Sequence, residues 1–176
     1  GGNSIGRLTI LPYTFPVSFC LFAMASLTID TDLRQIRLDQ NGSAETIPLY
    51  SKRSFELLSD LWSKVGWNQK YTYTFTWMGV PVVQLPEDMI RLQEVLWRVK
   101  PDVIIECGVS HGGGLLFYAS LQKAMGKGRV IGVEVEFRGN HRRQIEEHVL
   151  SSFITLIEGG STDPLIVAQV KAMIQP

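Results

Sequence analysis

Residues 103–114 bring an acidic side chain and closely spaced glycines together at the end of an apolar segment. Glu106 lies near the end of the segment Val103–Cys107, and Gly108 and Gly112 follow it, ahead of a helical pattern. A strand-to-helix turn of this kind presents backbone N–H groups and the positive end of a helix dipole to a ligand. Glycines let the ligand approach the main chain because no Cβ is in the way. The run therefore predicts a ligand site at the carboxyl end of a buried strand.

Two kinds of site fit this turn only in part. A dinucleotide site needs the spacing G-x-G-x-x-G, and Ser110 stands where its middle glycine would be. The string Gly108-Val-Ser-His-Gly112 matches the nucleophile elbow G-x-S-x-G, so a serine hydrolase that uses Ser110 is one alternative. That class needs an acid and then a histidine after the serine, whereas His141 and His148 both precede Asp163.

The residues at the ends of three successive predicted strands fit a third kind of site. Glu106, Gly108 and Gly112 resemble motif I of the S-adenosylmethionine (SAM)-dependent methyltransferases. The next strand ends in Glu134, whose carboxylate can accept hydrogen bonds from both hydroxyls of a ribose. The one after it ends in the small polar turn 158–163, which suits the edge of an adenine, although Asp163 could equally cap the following helix.

Composition excludes several function classes. The chain has 176 residues, 45% of them hydrophobic, and its 17 basic and 17 acidic residues give no net charge. It is therefore long and apolar enough to fold, and it lacks the basic field that a general nucleic-acid binder needs. With 2 cysteines and 3 histidines, we expect no disulfide framework, no cysteine-rich zinc site and no oxygen-activating iron triad.

The hydrophobic pattern predicts an α/β fold with a Rossmann-like parallel sheet. After Lys100, strands at 103–107, 129–133 and 153–157 alternate with helices near 113–125, 140–148 and 164–173. We assign residues 101–176 to the first half of a cofactor-binding domain and residues 26–100 to an extension. In that extension we expect short strands at 27–29, 35–38 and 46–50, helices at 51–65 and 86–99, and an extended segment at 71–77. Gly66 is expected just past the end of the first helix.

The first 25 residues form a separate apolar segment. No charged residue occurs between Arg7 and Asp30, and Ala23-Met-Ala25 fits a signal-peptide cleavage pattern. Residues 8–25 are therefore a signal, an anchor or a core segment, or residues 1–23 are an upstream extension or apolar tail ahead of a start at Met24. We expect a cytoplasmic protein unless residues 8–25 direct it to a membrane or out of the cell.

From about Met24 onward, the chain resembles the cephalosporin hydroxylase / rhamnosyl O-methyltransferase family. The resemblance lies in the strings Val65–Tyr71, Phe75–Gly79, Gln84–Asp88, Arg98–Asp102, Glu106–Gly114, Gly126–Gly132 and Ile157–Pro164. It implies SAM bound on a Rossmann-like sheet, methyl transfer to a hydroxyl of a small molecule or sugar, and a magnesium ion that orients this hydroxyl. We expect no nucleic-acid partner and a homo-oligomer.

The resemblance also implies which residues hold the cofactor. The methionine part would contact Glu106, Gly108, Ser110, Gly112 and Gly114. Glu134 would bind the ribose, and the adenine would contact Val135, Gly160, Ser161 and Thr162. Gln84 would close the pocket, and His111 would line it or cap the helix.

Both ends of the chain look cut. The family's metal-binding acids follow strands four and five, so the magnesium ligands are expected beyond Pro176. We assign no catalytic residue and no metal ligand within the chain, and a non-catalytic cofactor-binding fragment remains an alternative. Without strand four, the strand at 103–107 would have an open edge, which favours association between copies.

Overall fold

The computed structural model describes residues 8–10, 25–40 and 42–174 and confirms the α/β class. The elements are, in chain order, β1 (Leu8–Ile10), β2 (Ala25–Asp30), β3 (Gln35–Gln40), β4 (Ser43–Pro48), α1 (Lys52–Asn68), β5 (Phe75–Trp77), β6 (Val80–Val82), α2 (Pro86–Val99), β7 (Val103–Cys107), α3 (Gly113–Met125), β8 (Arg129–Glu134), α4 (His141–Glu146), β9 (Ile154–Glu158) and α5 (Pro164–Ile174). Short 3₁₀ turns cover Tyr71–Tyr73 and Ser151–Phe153.

The chain divides into two compact units. The larger one comprises residues 1–13 and 72–176, and the smaller one comprises residues 14–71. Residues 72–100, which the sequence places in the extension, share their contacts with the parallel sheet. Residues 11–24 lie outside the described part of the chain, and with them most of the predicted signal or anchor. No helix among the described residues is long and apolar enough to cross a membrane.

The smaller unit contains an antiparallel sheet, β2-β3-β4, and helix α1. Ile36 and Ile47 face each other across β3 and β4, and both are buried. Ser51 begins α1 by accepting a hydrogen bond from Ser54 N–H at 3.2 Å. The predicted end of α1 is wrong: the helix continues to Asn68, and Gly66 lies inside it, buried against Tyr71. Phe55 and Trp62, on the predicted apolar stripe, are 74% and 57% exposed.

The larger unit is built on a parallel sheet with the strand order β1-β7-β8-β9. Alternate strand residues face opposite sides, as the two-residue period of a strand requires. Ile104 and Val130 pack into the core that contains α3, whereas Ile131 packs into a second core against Ile166 of α5. Helices on both faces make this a doubly wound sheet, as predicted.

The predicted open edge of β7 is wrong. β1 runs parallel to β7 and pairs with it in the register Leu8↔Val103 and Ile10↔Ile105. We did not predict this strand, because its residues lie in the apolar N-terminal segment, for which we considered a signal, an anchor, an extension and a core segment. Pairing satisfies the backbone groups of β7 on the side that we expected to be unprotected.

A hairpin that the sequence analysis did not predict packs on α3. β5 and β6 are antiparallel, and Met78 (φ 48°) and Gly79 (φ 89°) form the tight turn between them. The Trp77 ring meets the Phe117 ring edge-on at 5.0 Å between centroids, and its Nε1–H donates to Ser120 Oγ at 3.2 Å. A Cβ at Gly113 would overlap the carbonyl of Pro81, so this glycine lets the hairpin approach the start of α3.

Candidate functional site

The turn between β7 and α3 has an unusual backbone. Gly108 (φ 83°), Ser110 (φ 54°) and Gly112 (φ 98°) all adopt positive φ, which places Ser110 among the few non-glycine residues of this kind. The N–H of Gly108 donates to Val133 O at 2.9 Å, so the turn is fixed to the end of β8. A Cβ at Gly112 would lie 2.5 Å from Ile145 Cδ1, so Gly112 makes room for α4.

A cavity of about 270 Å³ opens above this turn. One wall comes from the turn and the start of α3, and the other comes from β6, the segment that follows it, and Tyr73. Its lining residues are Tyr73, Pro81, Val82, Val83, Gln84, Glu106, Cys107, Gly108, Val109, Ser110, His111, Gly113 and Gly114. The carboxyl end of β7 and the amino end of α3 therefore meet at one concave site, which is where ligands bind in such sheets.

Half of the residues predicted to bind the cofactor line this cavity: Gln84, Glu106, Gly108, Ser110, His111 and Gly114. The others lie outside its lining: Gly112, Glu134, Val135, Gly160, Ser161 and Thr162. Glu134 and Gly112 nevertheless contact the turn or its neighbours, whereas Val135 is 70% exposed just after β8. The cavity thus corresponds to the predicted methionine end of the site.

The carboxyl group of Glu106 is enclosed. Its Oε2 is buried and has no hydrogen-bond partner among the described residues. A Cβ at Gly114 would overlap Glu106 Oε1, so the glycine makes room for this carboxyl group beside the first turn of α3. Burial, and secondarily the negative charge of Glu134, raise the pKa of Glu106 from 4.5 to about 8. The site therefore holds an acid that lacks the cationic or donor partner its ionised form needs.

We expect Glu106→Gln to stabilise the protein at pH 8 and above and to leave its stability unchanged near pH 4. Because the folded-state pKa of Glu106 is raised to about 8, its contribution to stability is fully present below 4.5 and is lost as the pH rises through 8. Glutamine imitates the protonated acid and does not titrate. The variant's advantage in free energy of unfolding should grow by up to about 1.4 kcal/mol per pH unit in this window.

Urea unfolding of both proteins between pH 4 and pH 9 measures that difference. A difference that does not change with pH would contradict the enclosed, protonated state of Glu106.

Glu134 connects the ends of three strands. Its Oε2 accepts the Ser110 N–H and its Oε1 accepts the Val135 N–H, each at 2.9 Å. Its backbone carbonyl accepts the Gly159 N–H at 2.8 Å. Each carboxylate oxygen keeps a further lone pair, so Glu134 can hold the turn and still accept a ligand hydroxyl.

Ser110 and His111 contact each other rather than an acid. Ser110 Oγ and His111 Nδ1 are 3.0 Å apart, and the His111 ring lies against the His141 ring at 4.4 Å between centroids. The nearby carboxylate of Glu134 accepts backbone N–H groups, including that of Ser110 itself. The contacts of the described residues therefore give no acid–histidine–serine relay.

The third strand end is an exposed turn. Ser161 and Thr162 are exposed and Gly160 is half-buried, and the Gly160 carbonyl accepts the Asp163 N–H at 2.9 Å. Asp163 Oδ1 accepts the Leu165 N–H at 2.8 Å, so this side chain caps α5, the second of the two roles considered for it.

Seven lining residues were not predicted: Tyr73, Pro81, Val82, Val83, Cys107, Val109 and Gly113. Cys107, Val109 and Gly113 lie within the glycine-rich run, so their position beside the other lining residues could have indicated them. The wall formed by residues 81–83 depends on how the hairpin packs on α3. No local sequence pattern indicates that Tyr73 lines the cavity.

Among residues 8–10, 25–40 and 42–174, no three histidine, cysteine or acidic side chains form a group that could hold a metal ion. The described residues therefore do not fit the magnesium ion that the resemblance implies, and we derive no step through a metal.

The part of the chain that forms the cavity matches a known protein family. The family model described as Rhamnosyl O-methyltransferase/CmcI matches residues 69–176, which is more than half of the chain and includes the whole cavity. The chain belongs to this family. The match covers the hairpin, α2 and strands β7, β8 and β9 of the parallel sheet, whereas β1 lies outside it.

Among curated members of the Rhamnosyl O-methyltransferase/CmcI family, the chain is 30% identical to the rhamnosyl O-methyltransferase of Mycobacterium leprae (strain TN), over 57% of this chain and 42% of that protein. It is 29% identical to the enzyme of the same name from Mycobacterium tuberculosis, over 56% and 39%. The chain thus spans about two fifths of the length of these relatives.

Solved structures of CmcI are also similar. The apo form has a TM-score of 0.49 at 25% identity, covering 56% of this chain and 41% of that one. A form with S-adenosylhomocysteine (SAH) has a TM-score of 0.44 at 26% identity, covering 51% and 45%. The serine hydrolase alternative is not supported, because family membership and the contacts of Ser110 and Glu134 both point elsewhere.

Proposed function

We propose that this chain carries the SAM-binding part of an O-methyltransferase that acts on a hydroxyl group of a small molecule or sugar. The observation that carries the proposal is the pair of carboxylates at adjacent strand ends. The Glu106 carboxyl group is enclosed at the turn and has no partner among the described residues. The Glu134 carboxylate holds that turn by accepting the Ser110 N–H. A ligand with a cationic end and a vicinal diol suits such a pair.

The proposed placement extends SAM along these residues from its methionine part to its adenine. The methionine part would lie in the cavity, where Glu106 Oε2 accepts a hydrogen bond from its amino group and Gly108 leaves the main chain open to it. Glu134 would accept the ribose hydroxyls, and Val135 with residues 160–162 would contact the adenine. His111 and Ser110 would line the methionine side.

When bound, SAM supplies an electrophilic methyl group on a sulfonium. The residues of this chain bind and orient that group. The apolar wall of Pro81, Val82 and Val83 limits the access of water on one side of the cavity. Such positioning is the main contribution that a protein makes to a bimolecular methyl transfer.

The acceptor class follows from the relatives. Curated proteins similar to this chain are named rhamnosyl O-methyltransferases, that is, enzymes named for a sugar acceptor. We therefore propose a sugar hydroxyl, or a similar hydroxyl on a small molecule, as the acceptor for the protein to which this chain contributes its cofactor site.

Calorimetric titration of SAM and SAH into the 176-residue chain tests the cofactor site. We expect dissociation constants on the order of micromolar for both ligands. ATP and NAD⁺ serve as controls, since they share the adenosine but carry phosphates that the two carboxylates repel. Absence of SAM and SAH binding to a chain with a cooperative unfolding transition would refute the proposal.

A further inference from the structure

Gln84 places a buried, unpartnered oxygen at the cavity. This residue lies between β6 and α2 and is only 7% exposed. Its Oε1 is buried and has no hydrogen-bond partner among the described residues, and the side chain lines the cavity. A buried amide oxygen without a donor is costly, so this position is explained most simply if a ligand supplies the donor.

The opposite wall of the cavity carries a second buried acceptor. Glu106 Oε2, on the turn side, is buried and has no hydrogen-bond partner among the described residues. Two of the lining side chains that could donate, Ser110 and His111, are within hydrogen-bond distance of each other through Oγ and Nδ1. The cavity thus offers two acceptors from two different segments, and neither has a donor among the described residues.

The chemistry that satisfies both acceptors is restricted. A carboxylate or phosphate has no N–H to donate, and the ionised form of Glu106, which a bound cation favours, would repel it. A hydroxyl has a single proton and can donate to only one of the two oxygens. A primary ammonium group carries three N–H donors and a positive charge, so it can donate to both walls at once.

We propose that Gln84 is a specificity-determining residue whose Oε1 accepts a hydrogen bond from the amino group of the cofactor's amino-acid part. The inference rests on the proposed function and adds a contact from outside the glycine-rich turn. Gln84 and Glu106 hold the ammonium group between them. The site therefore selects adenosyl ligands that carry the amino group over those that lack it.

The test compares three ligands by calorimetry on the full chain: SAH, its analogue without the amino group, and 5′-methylthioadenosine, which lacks the whole amino-acid part. Gln84→Met retains the length of the side chain and removes the acceptor. We expect it to weaken SAH binding about 10- to 100-fold, as loss of a hydrogen bond to a charged group does, and to leave the other two affinities within about twofold.

Gln122→Leu is the matched control. Gln122 is also fully buried with an unpartnered Oε1, but it lies in α3 away from the cavity and its Nε2 donates to Pro101 O at 3.2 Å. The control should leave the preference for SAH over the deaminated analogue unchanged. Gln84→Leu provides a second cavity variant if Gln84→Met does not fold.

Equal weakening of all three ligands in the folded Gln84 variants would overturn the inference, and so would no weakening of SAH. Wild-type protein that binds none of the three ligands would instead refute the proposed function. A loss that also affects the deaminated analogue, which retains the carboxylate, would assign Gln84 to the carboxylate and overturn the ammonium contact.

Discussion

Replacement of Gly108 by valine is expected to abolish measurable SAH binding while the protein remains folded. Gly108 has a φ of 83°, and a Cβ built on it meets no heavy atom within 4 Å. That open space belongs to the cavity, so the valine methyl groups would occupy the volume into which the ligand's methionine part is proposed to enter. We expect an affinity loss of at least about 100-fold.

The matched control is Gly126→Val. Gly126 ends α3 with a φ of 70°, and a Cβ there likewise meets nothing within 4 Å, but the residue is outside the cavity lining. Both substitutions force valine into the left-handed region and should cost a similar stability of about 1–3 kcal/mol. Thermal unfolding and calorimetry separate the two effects. Equal SAH affinity in the two variants would exclude the cavity as the methionine site.

Glu134→Ala is expected to weaken SAH binding about 100-fold or more. The substitution removes the acceptor proposed for two ribose hydroxyls, and hydrogen bonds to a charged group contribute about 1.5–3 kcal/mol each. It also releases the Ser110 N–H, which Glu134 Oε2 accepts at 2.9 Å. Because Ser110 has a φ of 54°, the turn loses one of the contacts that hold it in a strained conformation.

Glu136→Ala provides the control for charge. Glu136 is exposed two residues further along the same strand end, and its removal changes the net charge by the same amount. We expect it to change SAH affinity by less than about twofold, since exposed charges contribute little. Calorimetric titration of both variants measures the difference. Similar losses in the two would mean that the general negative field, rather than the Glu134 contacts, governs binding.

Strands β7, β8 and β9 of the parallel sheet could be predicted because their signals are local, whereas β1 could not. β7 and α3 have the predicted bounds, and α2 begins at Pro86 and ends at Val99 as expected. In each case a buried apolar run or a helical stripe is followed by a terminator such as Gly126 or the left-handed Lys100. Local patterns of this kind do not depend on distant parts of the chain.

Two elements could not be predicted by the same rules. Proline disfavours a strand, yet β6 contains Pro81. The short hairpin packs the Pro81 carbonyl against the start of α3. Gly66 resembles a helix terminator, yet α1 continues through it because Tyr71 covers it. In both cases tertiary packing outweighs the local preference.

The site divides in the same way. The turn side was predicted from the spacing of Glu106, Gly108 and Gly112, because a strand-to-helix turn is built from consecutive residues. The opposite wall, with Tyr73 and Pro81, required knowledge of how a hairpin packs on a helix some 40 residues away, as the separation of Trp77 and Ser120 shows. Gln84 was found by family resemblance, and its orphaned oxygen only by structure.

The pairing of β1 with β7 has a consequence for the order of folding. Its registered partners, Leu8 and Val103, are separated by most of the chain, so a large loop must close before the pair can form. β7, β8 and β9 are joined by much shorter crossovers and can assemble before that closure. β1 therefore joins the sheet late, after β7, β8 and β9. Hydrogen exchange during refolding should show protection of β8 before protection of β1.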